Sequence, residues 1–234
     1  MCGCVNACGR APVLARALPL GRAGKWGQIA QKLEVTGHRA GKMSTRPSVW
    51  IVGSSLVVRL ERWLRRTRGS DYDFDVEGDV ECFGQSGMTW QGAISRLRRN
   101  LDLPRRPSII IIHAAANNIG SVTGIRLALM VIRDLEWVLT AYPDSHVMFS
   151  MLLPRRSYRN QRNNSPRGLN RAARLVNIRI ARFLARRGHS VIHHRGIRLD
   201  AMHDVLGDDG VHLSDWGNEL FHLGFRNAML NMLR

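Results

Sequence analysis

The sequence of 234 residues lacks long apolar stretches, since no apolar run approaches the roughly 18 residues that a membrane-spanning helix needs. The longest run, at residues 109–112, is typical of a buried strand instead. We therefore expect no membrane span. Hydrophobic residues still make up 44% of the chain, which is enough to bury a core and excludes disorder along its whole length.

Cysteine is scarce in the body of the chain. Three of the four cysteines lie within the first eight residues, and only Cys82 lies beyond them. A disulfide-rich secreted domain spreads its cysteines along the chain, so this distribution favours an intracellular, cytoplasmic location. The N-terminal cysteines have no fourth zinc ligand nearby, since His38 is the nearest candidate, and we expect no metal there.

Lysine is absent after residue 42, although the chain is strongly basic. Its 35 lysines and arginines outnumber its 18 carboxylates and give a net charge of +17, which predicts attraction to polyanions. From position 47 onward all 27 basic residues are arginines. Because such uniform arginine use can reflect coding bias, the charge alone does not establish a function.

Residues 1–46 contain eight basic residues, a single acidic residue, Glu34, and little hydrophobic periodicity. This composition predicts a disordered basic tail, followed by one domain over residues 47–234. A mitochondrial transit peptide and acylation of Cys2 and Cys4 are the alternatives.

From residue 48 onward, short apolar, β-rich runs alternate with segments of helical periodicity. Strands separated by helices of ten or more residues imply right-handed crossovers and a parallel sheet that is covered on both faces. The sequence therefore predicts a three-layer α/β/α, flavodoxin-like domain with a five-stranded parallel sheet. The predicted strands are 48–53, 71–82, 108–113, 146–152 and 189–194, and the predicted helices are 56–66, 88–101, 122–141, 169–187 and 216–233.

The strand predicted at 71–82 differs from the others because carboxylates alternate with mostly apolar residues. A period of two is typical of a strand with one solvent-exposed face. Its six carboxylates would point outward at successive positions of an extended chain, too far apart to converge on one cation. We therefore expect no metal site in this segment either.

In doubly wound sheets, ligands bind outside the carboxyl ends of the strands, and four segments of this chain offer suitable groups there. Ser55 follows the first strand, where the start of a helix leaves its N–H unpaired. Gly87 lies in a glycine turn after the second strand, and Asn117 follows the third. Asp209 precedes His212 by three residues, so its carboxylate could fix the imidazole tautomer.

Each feature is weak alone, but together they supply what acyl transfer requires: a nucleophile, donors for a developing oxyanion, and a base oriented by a carboxylate. A second Asp-x-x-His segment, at 200–203, leaves the base open on spacing alone. His212 is favoured because it precedes the polar start of a strongly apolar helix, whereas His203 lies just after the fifth strand.

Four segments, VWIVGSSL, FGQSGMTW, IIHAAANNIG and DGVHLSDWGNELF, resemble the sequence blocks of the SGNH (GDSL-like) hydrolases. The resemblance covers residues 48 to about 230 and is closest to esterase-type domains carried by vertebrate transposable elements. It implies that Ser55 is the nucleophile, His212 the general base and Asp209 its partner. The Ser55 N–H, Gly87 and Asn117 would form the oxyanion hole.

Three residues depart from the family pattern. The family usually has Asp before its serine, Gly two residues before its asparagine, and often Asp after that asparagine, where this chain has Ser54, Ala115 and Asn118. No catalytic group is lost, but the Ala115 methyl group could narrow the oxyanion site.

The sequence thus predicts a serine esterase that hydrolyses a small acyl ester without metal or cofactor. The alternative is a catalytically inactive protein that keeps this fold and associates with nucleic acid, with Tyr158 available for stacking. A solvated outer helix in an arginine-biased chain also accounts for the basic pattern. The candidate nucleic-acid contacts are Arg155, Arg156, Arg171, Arg174 and Arg182.

Overall fold

The structure, a computed structural model, describes residues 46–69, 74–158 and 164–233. The tail predicted at residues 1–46 lies outside these ranges except for its last residue.

One parallel sheet forms the centre of the domain. Its strands are β1 (Ser48–Gly53), β2 (Asp79–Gly84), β3 (Ile109–His113), β4 (His146–Ser150) and β5 (Ser190–Ile192). They lie in the order β2-β1-β3-β4-β5, and every neighbouring pair is parallel. The chain moves from β1 outward to β2 and then returns to the other side of β1, which creates a switch point at the carboxyl ends of β1 and β3. The predicted flavodoxin-like class is confirmed.

Helices cover both faces of this sheet. They are α1 (Ser55–Arg68), α2 (Trp90–Arg99), α3 (Gly124–Ala141), α4 (Pro166–Ala185), α5 (Met202–Val205) and α6 (Asp215–Leu233). Side chains of α2, α3 and α4 pack in one hydrophobic core, and those of α1 and α6 pack in a second core. The predicted long helices are present with boundaries shifted by a few residues, whereas the short helix α5 was not predicted.

The two central strands contribute to both cores. Trp50 and Val52 of β1 join the core with α2, α3 and α4, while Val49 and Ile51 join the core with α1 and α6. The isoleucines of β3 alternate in the same way, and every residue of both strands is buried. Burial on both faces explains why these strands appear in the sequence as unbroken apolar runs.

Strand β2 is shorter than its alternating sequence predicted. It begins at Asp79 because the adjacent strand β1 begins at Ser48, and these two residues are register partners. Residues 75–78 bend, with Asp75 at a φ of 54°, and Phe74 is buried in the core. The predicted strand is therefore wrong for 74–78, and 71–73 lie outside the described ranges.

His222 on α6 is fully buried beside two aromatic rings. Its ring centroid lies 6.4 Å from that of Trp63 and 5.5 Å from that of Phe74. Neither ring nitrogen has a hydrogen-bond partner among the described residues. Burial, followed by the positive charge of Arg68, lowers the pKa of His222 to about 4.

The substitution His222→Leu should raise the free energy of unfolding at pH 7 by about 1–2 kcal/mol, because it removes an unpaired buried polar group. The gain should be about 2 kcal/mol larger at pH 5. There the unfolded parent protonates this histidine, whose ordinary pKa is about 6.5, while the folded parent does not, so only the parent loses stability. Urea unfolding at both pH values measures the two effects. An equal gain at both, or none, would contradict this account.

Candidate active site

Ser55 is positioned by the turn from β1 into α1. A Cβ atom on Gly53 would lie only 2.9 Å from the carbonyl oxygen of His113, so glycine is needed for the close approach of this turn to β3. The Ser54 N–H donates to that same carbonyl at 3.2 Å. Ser55 is the first residue of α1, and its N–H therefore has no carbonyl partner one turn earlier.

Asp209 and His212 lie in a loop that is closed on itself. Leu206 and Leu213 form an antiparallel bridge across its base, and the Gly207 N–H donates to the His212 carbonyl at 2.8 Å. Within the loop, Asp209 Oδ1 accepts the N–H groups of Val211 at 2.9 Å and His212 at 2.8 Å. One carboxylate oxygen thus fixes the loop and leaves the other for the imidazole.

The imidazole of His212 joins this loop to the start of α1. Its Nε2 lies 3.0 Å from Ser55 Oγ, and its Nδ1 lies 2.5 Å from Asp209 Oδ2. Because an ionised carboxylate only accepts, Nδ1–H donates to Asp209 and Nε2 accepts from the hydroxyl of Ser55. The rival histidine, His203, is exposed on α5 and does not line the cavity that contains Ser55.

Asp209 stays ionised in this arrangement. Its partial burial acts to raise the pKa of the carboxyl group. The hydrogen bonds donated by the backbone and ring of His212, and by the Val211 N–H, outweigh burial and hold the pKa well below its usual range. The carboxylate is therefore charged when it accepts from Nδ1.

A cavity of about 540 Å³ brings together all five residues predicted for the site, which are Ser55, Gly87, Asn117, Asp209 and His212. Gly87 has a φ of +74°, a conformation that L side chains rarely adopt, although a Cβ there would meet no atom within 4 Å. Its N–H donates to no backbone carbonyl among the described residues and so remains available to a ligand.

The orientation of the Asn117 amide is fixed by its neighbours. Nδ2 donates to the Met88 carbonyl at 2.9 Å, and Arg155 Nη1 donates to Asn117 Oδ1 at 3.4 Å. A carbonyl only accepts and a guanidinium only donates, so the amide nitrogen must face Met88. The second N–H of Nδ2 has no partner among the described residues and is available to the cavity.

The Ala115 methyl group does not narrow this site, contrary to the concern raised by the sequence. Ala115 is fully buried in the core and does not line the cavity. The consequence of the alanine is conformational instead, because its φ is +80° in the left-handed region. Asn118, which also departs from the family pattern, accepts the Trp90 N–H at 2.8 Å through its side chain and so fixes the start of α2.

The substitution Ala115→Gly should leave the free energy of unfolding nearly unchanged. It relieves about 1–2 kcal/mol of strain in the left-handed backbone. This gain offsets the loss of a buried methyl group and the greater conformational entropy of the unfolded chain. Ala114→Gly is the matched control, since Ala114 is equally buried without a positive φ. It should lower the melting temperature by roughly 2–6 °C. Equal losses in both variants, measured by thermal unfolding, would show that Ala115 is not strained.

Arg155 is not part of an exposed basic surface. It is 5% exposed, and its guanidinium faces Asn117 and lines the cavity with Ser55, which does not favour the predicted contact with nucleic acid. Tyr158 is likewise buried and not available for stacking. Arg156, Arg171, Arg174 and Arg182 are exposed, as predicted.

Sequence reasoning missed three arginines that line the cavity, Arg59, Arg62 and Arg155. Two signals could have found them. Arg59 and Arg62 follow Ser55 by four and seven residues, which puts them on the same face of α1. Arg155 comes shortly after the carboxyl end of β4, the kind of position that identified the other site residues.

The described residues contain no group of three or more His, Cys, Asp or Glu side chains that could hold a metal ion. No helix among them is both long enough and apolar enough to cross a membrane.

Comparisons with known proteins identify the fold. No family model and no curated protein sequence matches the chain. Its structure is similar to a GDSL-like lipase from Bacteroides thetaiotaomicron, with 17% identity and a TM-score of 0.58 over 79% of this chain and 88% of the other. A lipase/acylhydrolase from Enterococcus faecalis gives 17% identity and a TM-score of 0.59 over 80% and 97%. A psychrotrophic esterase from a Pseudoalteromonas species gives 13% and 0.56 over 80% and 98%. The chain therefore has the fold of the GDSL/SGNH-type acylhydrolases and lipases.

Proposed function

We propose that this protein is a serine hydrolase of SGNH type that cleaves a small carboxylic ester. The observation that carries the proposal is the hydrogen-bonded series from Ser55 Oγ through His212 to Asp209, with distances of 3.0 and 2.5 Å. A nucleophile within hydrogen-bond reach of a base, itself oriented by a third group, is the arrangement that acyl transfer requires. The acylhydrolase fold of the structural neighbours supports the same reaction class.

In the first step, Ser55 Oγ attacks the ester carbonyl while His212 Nε2 takes the hydroxyl proton. The imidazolium that forms is stabilised by the ionised Asp209, which remains unprotonated. His212 then donates the proton to the departing alkoxide, and an acyl-enzyme on Ser55 remains. A water molecule, deprotonated by His212, hydrolyses the acyl-enzyme and restores the serine.

The negative charge that develops on the carbonyl oxygen needs donors that are already in position. We assign this role to the N–H groups of Ser55 and Gly87 and to the second N–H of Asn117 Nδ2, which line one cavity. Met88 and Arg155 hold the Asn117 amide on both sides, so the donor does not have to reorganise when charge appears. The mechanism uses neither metal nor cofactor.

A non-enzymatic role is the second candidate. The exposed Arg171, Arg174 and Arg182 form no ion pair among the described residues, which favours contact with a nucleic-acid backbone. We also propose that the domain derives from the esterase domain of a vertebrate transposable element, which its sequence resembles. This origin is compatible with either role. Turnover assays separate the two candidates, because only the enzyme depends on Ser55.

Ser55→Ala should lower kcat for short-chain p-nitrophenyl esters by at least about 1,000-fold, because the nucleophile is lost. Ser54→Ala is the control. The Ser54 hydroxyl is buried, makes no hydrogen bond to a described residue and does not cap α1, so this variant should stay within a few-fold of the parent. Initial rates of p-nitrophenol release measure both. If Ser55→Ala released p-nitrophenol at the parent rate while Ser54→Ala did not, the nucleophile would be wrongly assigned.

His212→Ala should abolish turnover, and Asp209→Asn should lower kcat by about 100- to 10,000-fold because the imidazole loses its oriented tautomer. His203→Ala provides the comparison, since this exposed histidine lies outside the cavity and its loss should be silent. The same ester assay is used for all three. If His203→Ala were inactive and His212→Ala fully active, the base would lie elsewhere and the site around it would be wrong.

A further inference from the structure

Arg155 is a buried cation that forms no ion pair with a described residue. The negative charge of Asp209 acts on it only through space, and that carboxylate accepts hydrogen bonds from His212. Arg155 is 5% exposed, and among the described residues its guanidinium has one side-chain hydrogen bond, to Asn117 Oδ1 at 3.4 Å, and no ion pair. The Tyr158 ring lies 5.8 Å from its guanidinium carbon. Burying a charge is costly unless it is paired, and arginine keeps its charge under all ordinary conditions. Such a group is expected where an anion completes the site.

The backbone that carries Arg155 is held rigidly by two asparagines of α4. Asn170 accepts the Arg155 N–H at 3.0 Å and donates to the Arg155 carbonyl at 2.8 Å. Asn177 makes the equivalent pair with Leu152, at 2.8 and 3.0 Å. These amides replace the neighbouring strand that the segment lacks, so the position of Arg155 is built into the fold.

Arg155 also lines a second and larger cavity, an open space of about 1030 Å³ between the first half of α4 and residues 197–200. Arg167, Arg171 and Arg174 project into it from α4, and none of them forms an ion pair among the described residues. Its apolar lining includes Leu152. One carboxylate lines it, Asp200, which is paired with Arg198.

Arg155 lines both cavities, so the two cavities are adjacent at this residue. We propose that the larger cavity binds a phosphate group of the substrate whose ester bond is cleaved at Ser55. The cleavage at Ser55 rests on the proposed esterase function, whereas the phosphate site in the larger cavity does not. The ligand is therefore a phosphorylated ester, with its carbon skeleton against the apolar wall.

Phosphate fits this cavity better than a carboxylate or a polynucleotide does. The three arginines of α4 that form no ion pair, with the buried Arg155 beside them, can neutralise a dianion with three acceptor oxygens and bind it in bidentate fashion. A single carboxylate would leave most of that charge uncompensated. A polymer lying over the outer face of α4 would reach Arg171 and Arg174 but not the buried Arg155.

The test compares two esters that differ only in the phosphate, hexyl acetate and 6-acetoxyhexyl phosphate, by the rate of acetate release. The parent should have a kcat/KM at least about tenfold higher for the phosphorylated ester. The double variant Arg171→Gln/Arg174→Gln should lose that preference, mainly through KM. The matched control Arg179→Gln/Arg186→Gln removes the same charge from exposed positions outside the cavity and should keep the preference.

Binding without turnover separates this inference from the proposed function. Inorganic pyrophosphate is titrated into Ser55→Ala by calorimetry, alone and combined with each double variant. Binding that Arg171→Gln/Arg174→Gln abolishes, and that Arg179→Gln/Arg186→Gln retains, supports the anion site even if no ester is cleaved. Thermal unfolding verifies that each variant is folded. If Arg171→Gln/Arg174→Gln does not fold, the single variants Arg171→Gln and Arg174→Gln replace it.

Three results would overturn the inference. The first is a parent that cleaves both esters equally well. The second is an equal loss of the preference for the phosphorylated ester in both double variants. That result would mean that the overall surface charge, and not the cavity, causes the preference. The third is pyrophosphate binding that is absent, or that all arginine variants weaken alike. An inactive parent with intact pyrophosphate binding would contradict the esterase but not the anion site.

Discussion

The pairing of β1 with β3 is the constraint on which the rest of the site depends. Both strands are buried on both faces, and their register brings Gly53 opposite His113 at the carboxyl edge of the sheet. The next residue, Ser54, then donates its N–H to the His113 carbonyl. The turn that carries Ser55 is thereby tied to the strand that precedes Asn117. The proposed nucleophile and oxyanion donor are therefore positioned by two strands that are buried on both faces.

His212 reaches the same edge of the sheet from a loop that is not part of the sheet. The loop of His212 is closed by its own hydrogen bonds and is attached to the segment after β4, because the Gly210 carbonyl accepts the N–H groups of Arg156 at 2.8 Å and Ser157 at 3.3 Å. A Cβ on Gly210 would lie 2.8 Å from Arg156 Cβ, and its φ is +67°. Glycine is therefore needed for this attachment, which couples the position of His212 to the segment that carries Arg155.

The sequence predicted most of the fold because burial on both faces of a parallel sheet gives unbroken apolar runs that are easy to recognise. It also indicated which residues the structure brings to one cavity, because ligands of such sheets bind where the strands end. The start of β2 was not predictable from alternation, since it depends on where β1 begins. The positive φ of Ala115 could not be predicted either, because an alanine in a loop does not indicate a left-handed backbone conformation.

Local sequence reveals only part of the role of Arg155, since its position after β4 indicates the site but not its burial. Composition gave its charge, and the surrounding arginines suggested one exposed surface. Its guanidinium donates to Asn117 and its backbone N–H donates to Asn170, which are 38 and 15 residues away in the chain. Only the packing of α4 against the segment after β4 distinguishes this arginine from its exposed neighbours on the helix.

The central claim is that His212 activates Ser55 as a nucleophile, and covalent labelling tests it most directly. The protein is treated with diethyl p-nitrophenyl phosphate, and the modified residue is identified by peptide mass spectrometry in the parent and in His212→Ala. The account predicts a single diethyl phosphoryl adduct on Ser55 in the parent and almost none in His212→Ala. An adduct on another serine, or one on Ser55 that forms at the same rate without His212, would contradict it.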